Sequence, residues 1–135
     1  MDRNAAARDL IDVIARNGCR KISKLFDDGF KGMFVILRIL RYSDDDIMPS
    51  DIAKLMGVST ARVAVALKSL SEKGYIERIP ASTDGRRVVL RITQAGSAAL
   101  SAREETIKDL IAAFLQKLTD DEVVAFSAIM KKLFS

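Results

Sequence analysis

Apolar residues recur at three- and four-residue intervals over most of this chain and alternate in one short stretch. Residues 5–26 carry Leu10, Ile11, Ile14, Ala15, Cys19, Ile22 and Phe26 along one stripe, the spacing of an amphipathic helix. Gly18 either weakens that helix, by about 1 kcal/mol against alanine, or lets a second helix approach. Asp27-Asp28-Gly29 ends the element. A second helix over 31–42 turns Met33, Phe34, Leu37 and Leu40 inward and Arg38 and Arg41 outward. Asp44, Asp45 and Asp46 follow as a solvated loop, because adjacent carboxylates diverge and are poorly spaced for a cation.

Two short helices then flank a glycine turn. Ala53 is small enough for a second helix to cross close to it. Gly57 suits the left-handed residue that ends the first helix. Val63 is the apolar residue the second helix turns inward, and Ser59 and Thr60 stand where a side-chain oxygen caps its free N–H groups. Small, glycine and β-branched residues at these offsets describe a helix-turn-helix.

A hairpin follows. Tyr75 to Ile79 is strand-like. Arg87 to Ile92 alternates, with Val88, Leu90 and Ile92 on one face and Arg87, Val89 and Arg91 on the other. Asp84-Gly85 is a turn signal, and Arg86 follows it directly. A helix-turn-helix running into such a hairpin is a winged helix, whose second helix enters a DNA major groove while the wing reaches the neighbouring minor groove.

Beyond the wing, Thr93 caps a long helix to about Leu118, with Leu100, Ile107, Ile111, Phe114 and Leu118 close to a heptad seam. Thr119-Asp120-Asp121-Glu122 is a capping box that opens a last helix bearing Val123, Phe126, Ile129, Met130 and Leu133. The first and the last two helices thus keep apolar faces that the central module need not cover. Packing in a homodimer buries them; packing within the chain is the alternative. The fold class is mainly α with a small β-hairpin wing. Residues 1–135 form a single domain, with 31–96 as the winged lobe and 1–30 and 97–135 as dimerisation helices.

Composition narrows the function. The net charge is +4, and the stretch Ser50–Ala95, with eight Lys/Arg against four Asp/Glu, carries the whole excess. Such cations displace condensed counterions from phosphates. No apolar run approaches the length of a membrane span. Met1-Asp2-Arg3-Asn4 lacks a basic segment feeding an apolar core, so secretion is not expected. One cysteine forms no intrachain disulfide and agrees with a reducing, cytoplasmic setting. The absence of histidine removes imidazole catalysis and imidazole zinc sites.

The chain resembles the MarR family of winged-helix transcriptional regulators. The resemblance lies in Leu55-Met56-Gly57-Val58-Ser59, in Val63, Leu67 and Leu70, and in Glu72-Lys73-Gly74-Tyr75-Ile76-Glu77-Arg78. It continues in Asp84-x-Arg86 and Ile92-Thr93-x-x-Gly96, and more weakly through Leu118-Thr119-Asp120-Asp121-Glu122. It implies a triangular homodimer on a palindromic operator and repression relieved by a small aromatic effector. In such proteins the wing Asp holds the loop by charge pairing and the wing Arg enters the minor groove; Asp84 and Arg86 match those positions.

The reading helix departs from the family pattern. Its outward face carries Thr60, Ala61, Arg62, Ala64, Val65 and Lys68, and the family often has polar or basic residues where Ala61, Ala64 and Val65 stand. Small apolar groups touch thymine methyls but make no bidentate hydrogen bonds. Arg62 is therefore the expected base reader, helped by Ser59 and Thr60. Lys68, Arg87 and Arg91 are expected at phosphates, which position without specifying sequence. Gly85 replaces a residue that is frequently basic in the family.

Some family members sense oxidants through a cysteine near the N-terminus. Cys19 is the redox candidate here, with Arg16, Arg20 and Lys21 nearby to lower its pKa; the usual reading of a free cysteine in such an apolar stripe is an inert small hydrophobe. The lack of histidine argues against the zinc-responsive branch of the family, and no cofactor is expected. An effector pocket is expected near Phe30, Met33 and Phe34, which serve as well as core residues.

The function expected is sequence-specific binding of double-stranded DNA by a homodimeric regulator, a repressor. The alternative is a winged-helix module that binds a protein instead of DNA, favoured by the apolar Ala61, Ala64 and Val65. An enzyme is not expected, since nothing supplies a nucleophile–base pair or a glycine-rich phosphate loop.

Overall fold

A computed structural model describes residues 1–18, 32–80 and 87–135. Its helices are α1 (Arg3–Val13), running on as a π-helical turn over Ile14–Gly18, α2 (Met33–Tyr42), α3 (Pro49–Met56) and α4 (Thr60–Glu72). The strands β1 (Ile76–Pro80) and β2 (Val88–Ile92) follow, then α5 (Gln94–Leu115) and α6 (Asp120–Phe134). The mainly helical architecture with one small hairpin is the one the periodicity predicts. The chain divides into two compact units, Met1–Leu100 and Ser101–Ser135.

The core of the first unit forms where α2, α3, α4 and the hairpin meet. Ile36 and Leu37 of α2, Ile52 of α3, Leu67 and Leu70 of α4 and Leu100 of α5 are its fully buried side chains. Met33, Leu40, Ala53, Val63, Ile76 and Leu90 complete the cluster with Ile47. Burying each large aliphatic side chain is worth about 1.5–3 kcal/mol. Ile36, not among the inward residues expected from spacing, is 1% exposed. It widens the apolar stripe of α2, and Phe34 sits half-buried at the edge of that stripe.

Arg41 corrects the outward reading of α2. It is half-buried, and its guanidinium donates to the backbone carbonyl of Ser97 and to Ser97 Oγ, the latter at 2.9 Å. The long side chain reaches from the last turn of α2 to the first turn of α5, which a count of helical faces cannot show. Arg38 does face solvent, over the ring of Tyr42 at 4.9 Å. The three aspartates after it are exposed, as expected of a solvated loop.

Local signals set the helix-turn-helix. Pro49 occupies the first turn of α3, where its missing N–H costs nothing. Asp51 accepts the Met48 N–H at 2.8 Å. Gly57 ends α3 in the left-handed region, φ +64°, and the next N–H, of Val58, returns to Ala53 O at 3.2 Å. Ser59 caps α4 by accepting the Arg62 N–H at 3.2 Å. Thr60 is the first residue of the helix rather than part of the cap.

β1 and β2 pair antiparallel with Ile76 opposite Ile92 and Glu77 opposite Arg91. On β2, Leu90 and Ile92 face the core as expected. Val89 does not follow the alternation. It is buried, opposite half-buried Ile79, and lines a shallow cleft with Leu40, Ile47 and the aspartate loop. The same loop supplies Ile47 as a third, single-residue rung, its carbonyl accepting the Leu90 N–H at 2.8 Å. Each strand begins one residue later than the sequence suggests, and β1 runs on to Pro80.

Thr93 caps α5 as predicted, accepting the Gly96 N–H at 3.0 Å. The helix closes at Leu115, short of Leu118. The second unit keeps the predicted capping box: Thr119 Oγ1 accepts the Glu122 N–H at 3.3 Å while Glu122 accepts the Thr119 N–H at 2.9 Å. Neither α1 nor α6 buries a residue. Leu10, Ile11, Val13 and Ile14 are exposed along the first, and Phe126, Ile129 and Leu133 along the second.

Candidate nucleic-acid interface

Among the described residues, α4 is held from one side only. Val63, Leu67 and Leu70 are buried, and Ala66 and Ser69 are half-buried beside them. With about 100° between successive residues, Ala61, Val65 and Lys68 fall diametrically opposite that anchored side. All three are exposed, Val65 by 72%. Thr60 and Ala64 lie on one flank of this strip and Arg62 on the other, all exposed. The helix therefore presents its N-terminal two turns to solvent on a rigid mount.

Among the residues expected to meet DNA, Ser59, Thr60, Arg62 and Lys68 are thus brought together on α4. Ser59 Oγ is engaged as an acceptor by the Arg62 N–H, so its hydroxyl proton is what it has to offer a phosphate oxygen. Arg87 and Arg91 are exposed on the wing. Arg91 stands directly across the ladder from exposed Glu77, which offsets part of its charge. Arg78, exposed on β1 next to that pair, adds a cation that the sequence reading passed over; its place in a strand beside a basic tip was the available signal. Asp84 and Arg86 of the wing, with Gly85, lie outside the described residues, as does Cys19.

An open groove of about 480 Å³ runs along the Arg62 flank of α4. Met33, Met56, Val58, Val65 and Ala66 line it, with Arg62 at its rim. Met33 of the expected effector residues borders it; Phe34 does not, and Phe30 lies outside the described residues. Among the described residues no group of acidic or cysteine side chains is placed to hold a metal, and no helix is long and apolar enough to cross a membrane.

Comparison with known proteins agrees with this geometry. Residues 34–87 match the sequence model of the MarR family. The uncharacterized HTH-type transcriptional regulator YwhA of Bacillus subtilis is 33% identical over 98 residues, covering 73% of this chain and 70% of that protein. The multiple antibiotic resistance protein MarR of Escherichia coli is 30% identical over 88 residues, 64% of this chain and 61% of that one. The crystal structure of wild-type E. coli MarR in its apo form superposes with a TM-score of 0.72 at 25% identity, covering 94% of this chain and 96% of that one. A cysteine-to-serine mutant of the same E. coli protein, solved in complex with operator DNA, shares the fold with a TM-score of 0.67 at 24% identity over 100% of both chains.

Proposed function

The chain belongs to the MarR family, and on that premise we propose that it represses transcription as a homodimer bound to a palindromic operator. Two of its relatives are named as an HTH-type transcriptional regulator and an HTH-type transcriptional repressor. DNA-binding regulation, not catalysis, is the activity of this chain. The observation that carries the finer reading is α4: anchored by Val63, Leu67 and Leu70, capped by Ser59, and exposed along its whole outer face. Its N-terminal residues are the ones a major groove admits.

Two such helices, one from each copy, meet successive major grooves about 34 Å apart. The exposed apolar residues of α1 and α6 are the surfaces a second copy covers, since faces of that kind on a folded chain mark association. Arg62 reads a base edge. Lys68, Arg87 and Arg91 meet phosphates, Asp84 steadies the wing and Arg86 enters the minor groove. A small aromatic effector in the groove beside Arg62 shifts the population away from the DNA-competent arrangement; the groove volume suits such a molecule.

Footprinting the purified protein on the DNA upstream of its own gene tests this reading. Two protected half-sites related by a dyad, one helical turn apart, are expected. Protection of a single half-site would remove the homodimer, and no protection at any concentration would remove the operator.

A further inference from the structure

The centre of the reading face is apolar, and neither a phosphate contact nor a base-edge hydrogen bond uses an apolar group. We propose that Ala61, Ala64 and Val65 read the 5-methyl groups of thymine, so that each preferred half-site carries thymine where the first two turns of α4 face the bases. The inference rests on the DNA-binding reading above and adds the sequence chemistry of the ligand.

Three observations lead to it. Val65 is 72% exposed although it is β-branched and apolar. Ala61, also exposed, lies four residues before it on the same face, and exposed Ala64, three residues after Ala61, joins the strip from its flank. That strip is bounded by Arg62 and Lys68, cations suited to a polyanion and out of place against an apolar protein surface. Within a major groove the thymine C5-methyl is the apolar group on a base edge. Alanine at two of the three positions also lets the helix backbone approach the bases closely. Ala61 and Val65 stand four residues apart, about 6 Å along the helix axis, while base pairs repeat about every 3.4 Å along the duplex axis. The strip therefore spans adjacent or next-but-one base pairs, and two or three methyl groups per half-site fall within it.

Deoxyuridine isolates the effect, because it removes the methyl group and keeps the pairing. Duplexes enriched from a random pool by the 135-residue chain are remade with deoxyuridine at one thymidine position at a time. Two or three neighbouring positions in each half-site are expected to lose about fourfold in affinity apiece, the equivalent of one buried methylene. In Val65→Ala, folded by its circular dichroism melt, the loss at one of those positions is expected to disappear. Enriched duplexes that bind equally well with deoxyuridine throughout, or a deoxyuridine penalty unchanged in Val65→Ala, would overturn the methyl reading and leave DNA binding standing. Failure to enrich any duplex would overturn both.

Discussion

A Cβ placed on Gly96 would stand 2.1 Å from the carbonyl oxygen of Tyr75. The first turn of α5 thus lies directly on the turn that leaves α4 for the wing. The same contact is fastened by Thr93, whose N–H donates to Tyr75 O at 3.0 Å and whose hydroxyl donates to Gly74 O at 2.6 Å. The Thr93-x-x-Gly96 spacing is therefore a packing requirement between α5 and the end of the reading helix. Gly96→Ala is expected to cost at least the upper part of the about 1–3 kcal/mol typical of overpacking, because the obstructing atom is backbone. Gly57→Ala meets open space and bears only the left-handed penalty of about 1–2 kcal/mol. Urea midpoints for the two variants check the order.

The two sides of α4 should separate stability from recognition. Leu67, fully buried, is expected to cost about 2–5 kcal/mol when cut to alanine. Val65→Ala, on the exposed side, is expected to stay within about 0.5 kcal/mol of the parent. Denaturant unfolding of both variants, followed by far-UV circular dichroism, measures the difference.

The elements and their order could be read from the sequence because each carries a local signal. Gly57, Val63 and the Thr119–Glu122 box act within one or two turns, and the structure places them as spacing predicts. What could not be read depends on residues distant along the chain. Arg41 looks like an outward arginine until Ser97, far along in sequence, provides its acceptors. Val89 occupies an outward position in the alternation, yet it is buried beside a cleft lined by the aspartate loop. Ile47 pairs through a single rung, too short to give a periodic pattern. For the candidate interface, the exposed face of α4 was legible from Ser59 to Lys68. The opposition of Arg91 and Glu77 needed the strand register.

Arg62 and Arg86 are expected to fail differently. Arg62→Ala should cost about 1–3 kcal/mol on the preferred duplex and relax the choice of base at one position. Arg86→Ala should weaken binding to many sequences alike and lower the salt slope by about one unit. Fluorescence anisotropy on preferred and scrambled duplexes at several salt concentrations distinguishes a base contact from a phosphate contact.

Ile129, 55% exposed on α6, lies on the apolar face assigned to a second copy. Ile129→Asp puts a charge into that contact at little cost to the isolated helix. Sedimentation equilibrium is expected to show the parent as a dimer and the variant shifted toward monomer, with the helical signal of the variant retained.

The most direct test is the affinity and stoichiometry of the chain on its enriched duplex as salt is raised. Two copies per duplex, with log K falling linearly against log salt by about 0.9 for each phosphate neutralised, is the result predicted for paired cationic lobes on DNA. An affinity indifferent to salt, or saturation at one copy per duplex, would contradict it.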